Sequence, residues 1–117
     1  MKDGFYRLHY KTATLATTGV VVLDGGYLFA CDRYYFMQGE YRHRGNRIEG
    51  NVTFTRHTDR PGMLAIIPRT FNLALSGVSA DQFGQFDVWC PAIPLIRGSA
   101  TFTWLGELNA TYHGFAD

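Results

Sequence analysis

The segment NRIEGNVTFTRH, residues Asn46 to His57, decides the fold. Ile48, Gly50, Val52 and Phe54 alternate with Glu49, Asn51, Thr53 and Thr55. A period of two puts apolar groups on one face and polar groups on the other, as a half-buried β-strand requires. Just upstream, YRHRGNRIEG (residues 41–50) places Gly45-Asn46 at the tip of a turn. YYFMQGEY before it reads as the strand that pairs back, so the two form a hairpin.

The same signals recur on both sides. GFYRLHYK alternates Tyr6, Leu8 and Tyr10 with Arg7, His9 and Lys11. GVVVLDGGYLFAC carries a hairpin turn at Asp24-Gly25-Gly26, where glycine tolerates the positive φ that a tight turn imposes. Downstream, FNLALSG, QFDVWC and SATFTWLGEL read as three more strands. Eight short strands and no helix-period segment of useful length argue for an all-β meander. Eight antiparallel strands close into an up-and-down β-barrel, which removes exposed edges; a sandwich is the rival. Gly39, Gly50, Gly77 and Gly106 share the phase of the large apolar residues, as corner-turning glycines of a curved sheet do.

The chain has 117 residues, 46% of them hydrophobic and 15% aromatic, enough for one domain with its own core. We place that domain at residues 1–110, with 111–117 as a tail. TDRPGMLAIIPR, bracketed by Pro61 and Pro68, reads as a long loop or a short helical turn. The net charge is +1, so no global field points to nucleic acid or a membrane surface. The apolar runs are too short to span a bilayer as helices. MKDGFYRLHY lacks an apolar signal-peptide core, so a cytoplasmic protein is expected, with Cys31 and Cys90 as two buried, reduced thiols.

Three groups of residues are candidate sites. Arg42, His43, Arg44 and Arg47 surround the Gly45-Asn46 turn. Clustered guanidinium groups suit a carboxylate- or phosphate-bearing partner, and the plain alternative is a solvated hairpin tip. Arg56, His57, Asp59 and Arg60 open the long loop at a barrel mouth. They suit ligand orientation, and an Asp-His pair suits general-base work; local ion pairing is the plain alternative. The barrel interior is the third. Tyr6, Leu8, Tyr10 and Met37, with Phe54, Phe102 and Trp104, have core phase, and so do Val52, Phe71, Leu73 and Leu75. Such a barrel is either filled or holds one small apolar ligand. No metal site is expected, because His9, His43, His57 and His113 lack ligand spacing, and no cofactor is implied. Arg33, Tyr34 and Tyr35 invite comparison with oligonucleotide-binding barrels, but those have five strands and a basic groove.

Strands three and four are apolar on both faces. Tyr27 and Phe29 oppose Leu28 and Ala30, while Tyr34 and Phe36 oppose Tyr35 and Met37. A barrel buries one face only, so the other predicts a homodimer.

MKDGFYRLHY, GVVVLDGG, GEYRHRGNRIEGNVTFTRH, FNLALSG and ATFTWLGEL, in this order and covering most of residues 1–108, resemble the GrlR-like family, whose type is a negative regulator of type III secretion genes. The resemblance implies a lipocalin-like eight-stranded barrel, a homodimer and a non-enzymatic regulator that holds a partner protein, with room for a small apolar ligand. A lipocalin-like carrier or sensor without a protein target is the alternative. In that family an acidic run on an exposed turn captures a transcriptional activator. The matching turn here, Arg42 to Asn46, is basic, so the resemblance carries over the fold and dimer but not that contact, and an acidic protein partner is expected from the arginines themselves.

Overall fold

A computed structural model describes residues 1–13, 16–59 and 67–108. The chain forms β1 (Gly4–Thr12), β2 (Ala16–Asp24), β3 (Tyr27–Asp32), β4 (Tyr35–Arg44), β5 (Arg47–Arg56), β6 (Thr70–Ala80), β7 (Phe83–Cys90) and β8 (Ile93–Gly106). Each strand pairs antiparallel with the next, and β8 pairs with β1, so the sheet closes into an eight-stranded barrel. No helix occurs among the described residues, and none is long and apolar enough to cross a membrane. The rest of the long loop, including Arg60, and residues 109–117 with His113 lie outside the described residues.

Two hairpins follow directly from their turn residues. Gly25 and Gly26 sit at φ +59° and +91°, the left-handed pair of a two-residue I′ turn. At the next hairpin only Gly45 is left-handed, at +64°, with Asn46 following at negative φ, as in a II′ turn. Both turn types match the right-handed twist of the strands, and the register follows: Asp24 faces Tyr27 and Arg44 faces Arg47.

Alternation then sorts the side chains. Tyr6, Leu8 and Tyr10 of β1 point inward, as do Met37, Val52, Phe54, Leu73, Leu75 and Phe102 of the later strands. Tyr27, Phe29 and Phe36 point outward and are exposed. Tyr34, expected beside Phe36, instead lies in the β3–β4 turn and packs against the core. Cys90 is buried, but Cys31 shares the outward phase of Phe29 and is exposed; both thiols are free.

The glycines are only partly where the sequence puts the strain. A Cβ on Gly39 or Gly77 would lie 2.2 or 2.0 Å from a carbonyl oxygen of the neighbouring strand, so these two strand pairs approach more closely than a side chain permits. Gly106 faces open space, so no neighbour requires a glycine there. Gly98 makes the tightest approach instead, 1.8 Å from the Lys11 carbonyl at the closing β1–β8 seam.

β8 begins at Ile93, six residues before the expected Ser99. The register runs Trp89 to Arg97 but Cys90 to Ile93, so Pro94, Leu95 and Ile96 form a bulge. Proline is tolerated there because the bulged residues leave the hydrogen-bond ladder.

Candidate functional site

The barrel has two ends. One carries the tight turns after β2, β4 and β6; the other carries the connections after β1, β3, β5 and β7. At the hairpin end the interior is solid. Tyr6, Phe86 and Leu23 are among the most completely buried large side chains, and Trp104 lies edge-on to Tyr6 at 5.3 Å. The Tyr6 hydroxyl donates to the carbonyls of Lys2 and of Asp81, the latter at 3.1 Å. Burial first, then the negative charge of Tyr41, Asp3 and Asp81, pushes its pKa up to about 12. The Lys2 ammonium lies 4.9 Å above the Trp104 ring and covers this end.

Toward the loop end the interior is hollow. A chamber of about 110 Å³ opens between Leu8, Tyr10, Met37, Val52, Phe54, Leu73, Leu75, Val88 and Phe102. Its rim is made by Thr12, Ala13, Ile67, Leu95 and Ile96. Nine of the interior residues expected from sequence, Leu8, Tyr10, Met37 and Phe54 with Val52, Phe71, Leu73, Leu75 and Phe102, line this chamber; Tyr6 and Trp104 seal the opposite end instead. The sequence reading missed the rim. Leu95 and Ile96 reach it only because of the β8 bulge, which the period-two pattern does not encode.

One buried carboxylate organises the rim. Asp32, at the end of β3, accepts the backbone N–H groups of Tyr34 and Tyr35, each at 2.8 Å, and the hydroxyl of Tyr10. An aspartate that captures the N–H groups two and three residues ahead builds its own turn, which is why β3 reverses here without glycine. The signal was present as Asp32 immediately before Arg33-Tyr34-Tyr35.

His57 and Asp59 do not work together. The His57 ring bonds the Asp32 carbonyl at 3.0 Å and the Thr58 hydroxyl at 2.8 Å. Asp59 instead pairs with Arg56 at 3.0 Å. Arg69 reaches the Arg56 carbonyl at 3.0 Å, and the Arg56 N–H bonds the Arg69 carbonyl at 2.8 Å. These contacts tie the start of the long loop to its end. No group of three or more potential metal ligands gathers among the described residues.

The basic hairpin lies at the solid end. Arg42 and Arg44 both reach Glu49, at 3.4 and 3.5 Å, and Arg47 donates to Ser76 at 3.1 Å. All three point outward, and so do Glu40 and Asp87 on the same face. His43 has the opposite phase, 3.4 Å from the N-terminal amine. Beside the arginines the outer face dips into an open groove floored by Ala74 and Ser76 and walled by Trp89. A separate apolar surface runs over the first four strands, where Val20 faces Cys31 and Cys31 faces Phe36, with Phe5, Val22 and Phe29 in the adjacent row.

Compared with known proteins, the chain matches no family model and no curated protein.

Proposed function

We propose that this is a binding protein of the GrlR-like regulatory type, which acts by holding other molecules rather than by catalysis. The observation that carries the reading is the apolar chamber, closed at the hairpin end and bordered at the loop end, among the described residues, by Thr12, Ala13, Ile67, Leu95 and Ile96. Burying apolar surface of a guest in it gains about 25 cal/mol per Å², with little polar desolvation to offset that gain.

Two outer surfaces support the rest of the reading. The apolar rows through Val20, Phe29 and Phe36 fit a second copy of the chain, because exposed apolar side chains in register on adjacent strands are stabilised by a covering partner. The arginines at the Gly45-Asn46 turn fit an acidic protein partner, as charge complementarity there would steer association. In a carrier or sensor without a protein target, the chamber would have the same role and these arginines none.

Native mass spectrometry of the purified protein, followed by denaturing extraction, tests the reading. A dimer with extra mass that releases a small apolar compound is the expected result. A monomer that neither carries mass nor gains any from added apolar compounds would overturn it. Capture of an acidic protein by wild type but not by the Arg42→Glu, Arg44→Glu variant would separate the regulator from the carrier.

A further inference from the structure

We propose that the chamber selects a single small aromatic ring over an extended acyl chain, and that the guest enters from the loop end. This rests on the reading of the interior as a ligand site.

Size is the first ground. An apolar cavity of about 150 Å³ stays dry and takes benzene or xenon, whereas pockets for drug-sized ligands begin near about 300 Å³. At about 110 Å³ the chamber lies on the benzene side of that divide. Depth is the second. A longer guest would have to continue into the hairpin end, where Tyr6 and Phe86 already fill the axis. Displacing close-packed rings costs more than the added methylenes return.

The walls supply the third. Tyr10 and Tyr35 both meet Phe54 edge-on, at 6.0 and 5.7 Å between ring centres. Phe71 stacks on Phe54 at 5.4 Å and is itself met edge-on by Tyr35. This four-ring cluster borders the chamber, with Phe102 also in its lining. A ring guest finds quadrupoles to pair with, edge against face, beyond the area it buries. A saturated ring of the same carbon count buries similar area without that pairing. The Tyr10 hydroxyl is engaged by Asp32, so the guest is not required to bring a polar group inside.

The test is a thermal-shift and calorimetric series on the full chain with toluene, methylcyclohexane, naphthalene and dodecanoate. Toluene is expected to raise the melting temperature saturably and to bind about 3- to 10-fold tighter than methylcyclohexane. Naphthalene and dodecanoate are expected to bind at least about tenfold more weakly than toluene. Leu75→Ala, which widens the chamber, is expected to bring naphthalene within reach of toluene. Dodecanoate or naphthalene binding wild type more tightly than toluene would overturn the size limit and leave the ligand site standing. Equal affinity for toluene and methylcyclohexane would overturn the aromatic preference. Failure of all four probes to bind would overturn the ligand site itself.

Discussion

At the hairpin end the strands return through two-residue turns, and the N-terminal residues are stitched across the opening. The Lys2 N–H bonds the Asp81 carbonyl at 2.9 Å, and the Asp3 carboxylate accepts the Gly25 N–H at 3.2 Å. At the loop end one buried carboxylate and one histidine hold the rim, and an apolar void lies behind them. The same eight strands therefore make a packed core at one end and an apolar cavity at the other. The difference lies in which side chains each end brings inward: buried Phe86 and the Tyr6–Trp104 pair pack at the first, while Thr12, Ala13 and Ile67 border the chamber at the second.

If that comparison is right, equal truncations at the two ends have unequal costs. Phe86→Ala at the solid end should destabilise the fold by about 4 kcal/mol, because the close-packed surroundings cannot collapse into the gap. Phe71→Ala, half-buried beside the chamber, should cost about 1–2 kcal/mol. Chemical denaturation of the pair measures the ratio, and equal losses would break the distinction.

Asp32→Ala should cost about 3 kcal/mol, since it removes the carboxylate that accepts the Tyr34 and Tyr35 N–H groups and the Tyr10 hydroxyl at a buried site. Asn at this position should recover part of the loss, because its carbonyl still accepts the turn N–H groups. A loss under about 0.5 kcal/mol in Asp32→Ala would mean that the rim is not held by this residue.

The glycines sharpen the picture along β8. Gly98→Ala forces a Cβ against the Lys11 carbonyl and should destabilise by about 2–3 kcal/mol, while Gly106→Ala meets open space and should change stability by under about 0.5 kcal/mol. Thermal unfolding of the two variants decides whether the barrel is pinched at its closing seam.

The last effect expected is on pH dependence. Tyr6 ionises near 10 in an unfolded chain but is pushed up to about 12 in the fold. Its folded pKa is the higher one, so the stability it contributes is complete below about pH 10 and is lost as pH rises toward about 12. Burial and Asp3 raise the Tyr41 pKa too, adding a loss in the same alkaline direction. Denaturant midpoints measured across this window should fall in wild type and fall less in Tyr6→Phe. Identical slopes would show that Tyr6 is not the group responsible.

The barrel was legible because its information is periodic. Alternation in β1 and β5 and the glycines at 25, 26 and 45 specify strand, face and turn without reference to distant residues. The chamber was legible only in part. Phase alone says that Tyr6 and Tyr10 both point inward; it does not say that Trp104 fills the space beside the first while the second borders a void. That outcome depends on the cross-strand register, and on a three-residue bulge that turns Leu95 and Ile96 over the rim. The open space beside Gly106 escaped the pattern for a related reason. Strand phase predicts direction, but close approach depends on the neighbouring strand, and beside Gly106 the β1–β8 register shifts. The arginines of the 42–47 turn were legible as an exposed basic group, but their sharing of Glu49 follows from the pairing of Arg42 with Glu49 across the hairpin.

The central claim is a barrel hollow at one end and solid at the other. Methyl NMR of the full chain under xenon pressure tests it most directly, because xenon enters apolar voids and shifts the methyl groups that line them. We predict saturable shifts at Val52, Leu75 and Val88, with Leu23 and Ile48 unmoved. Shifts of equal size at both sets, or at neither, would contradict the account.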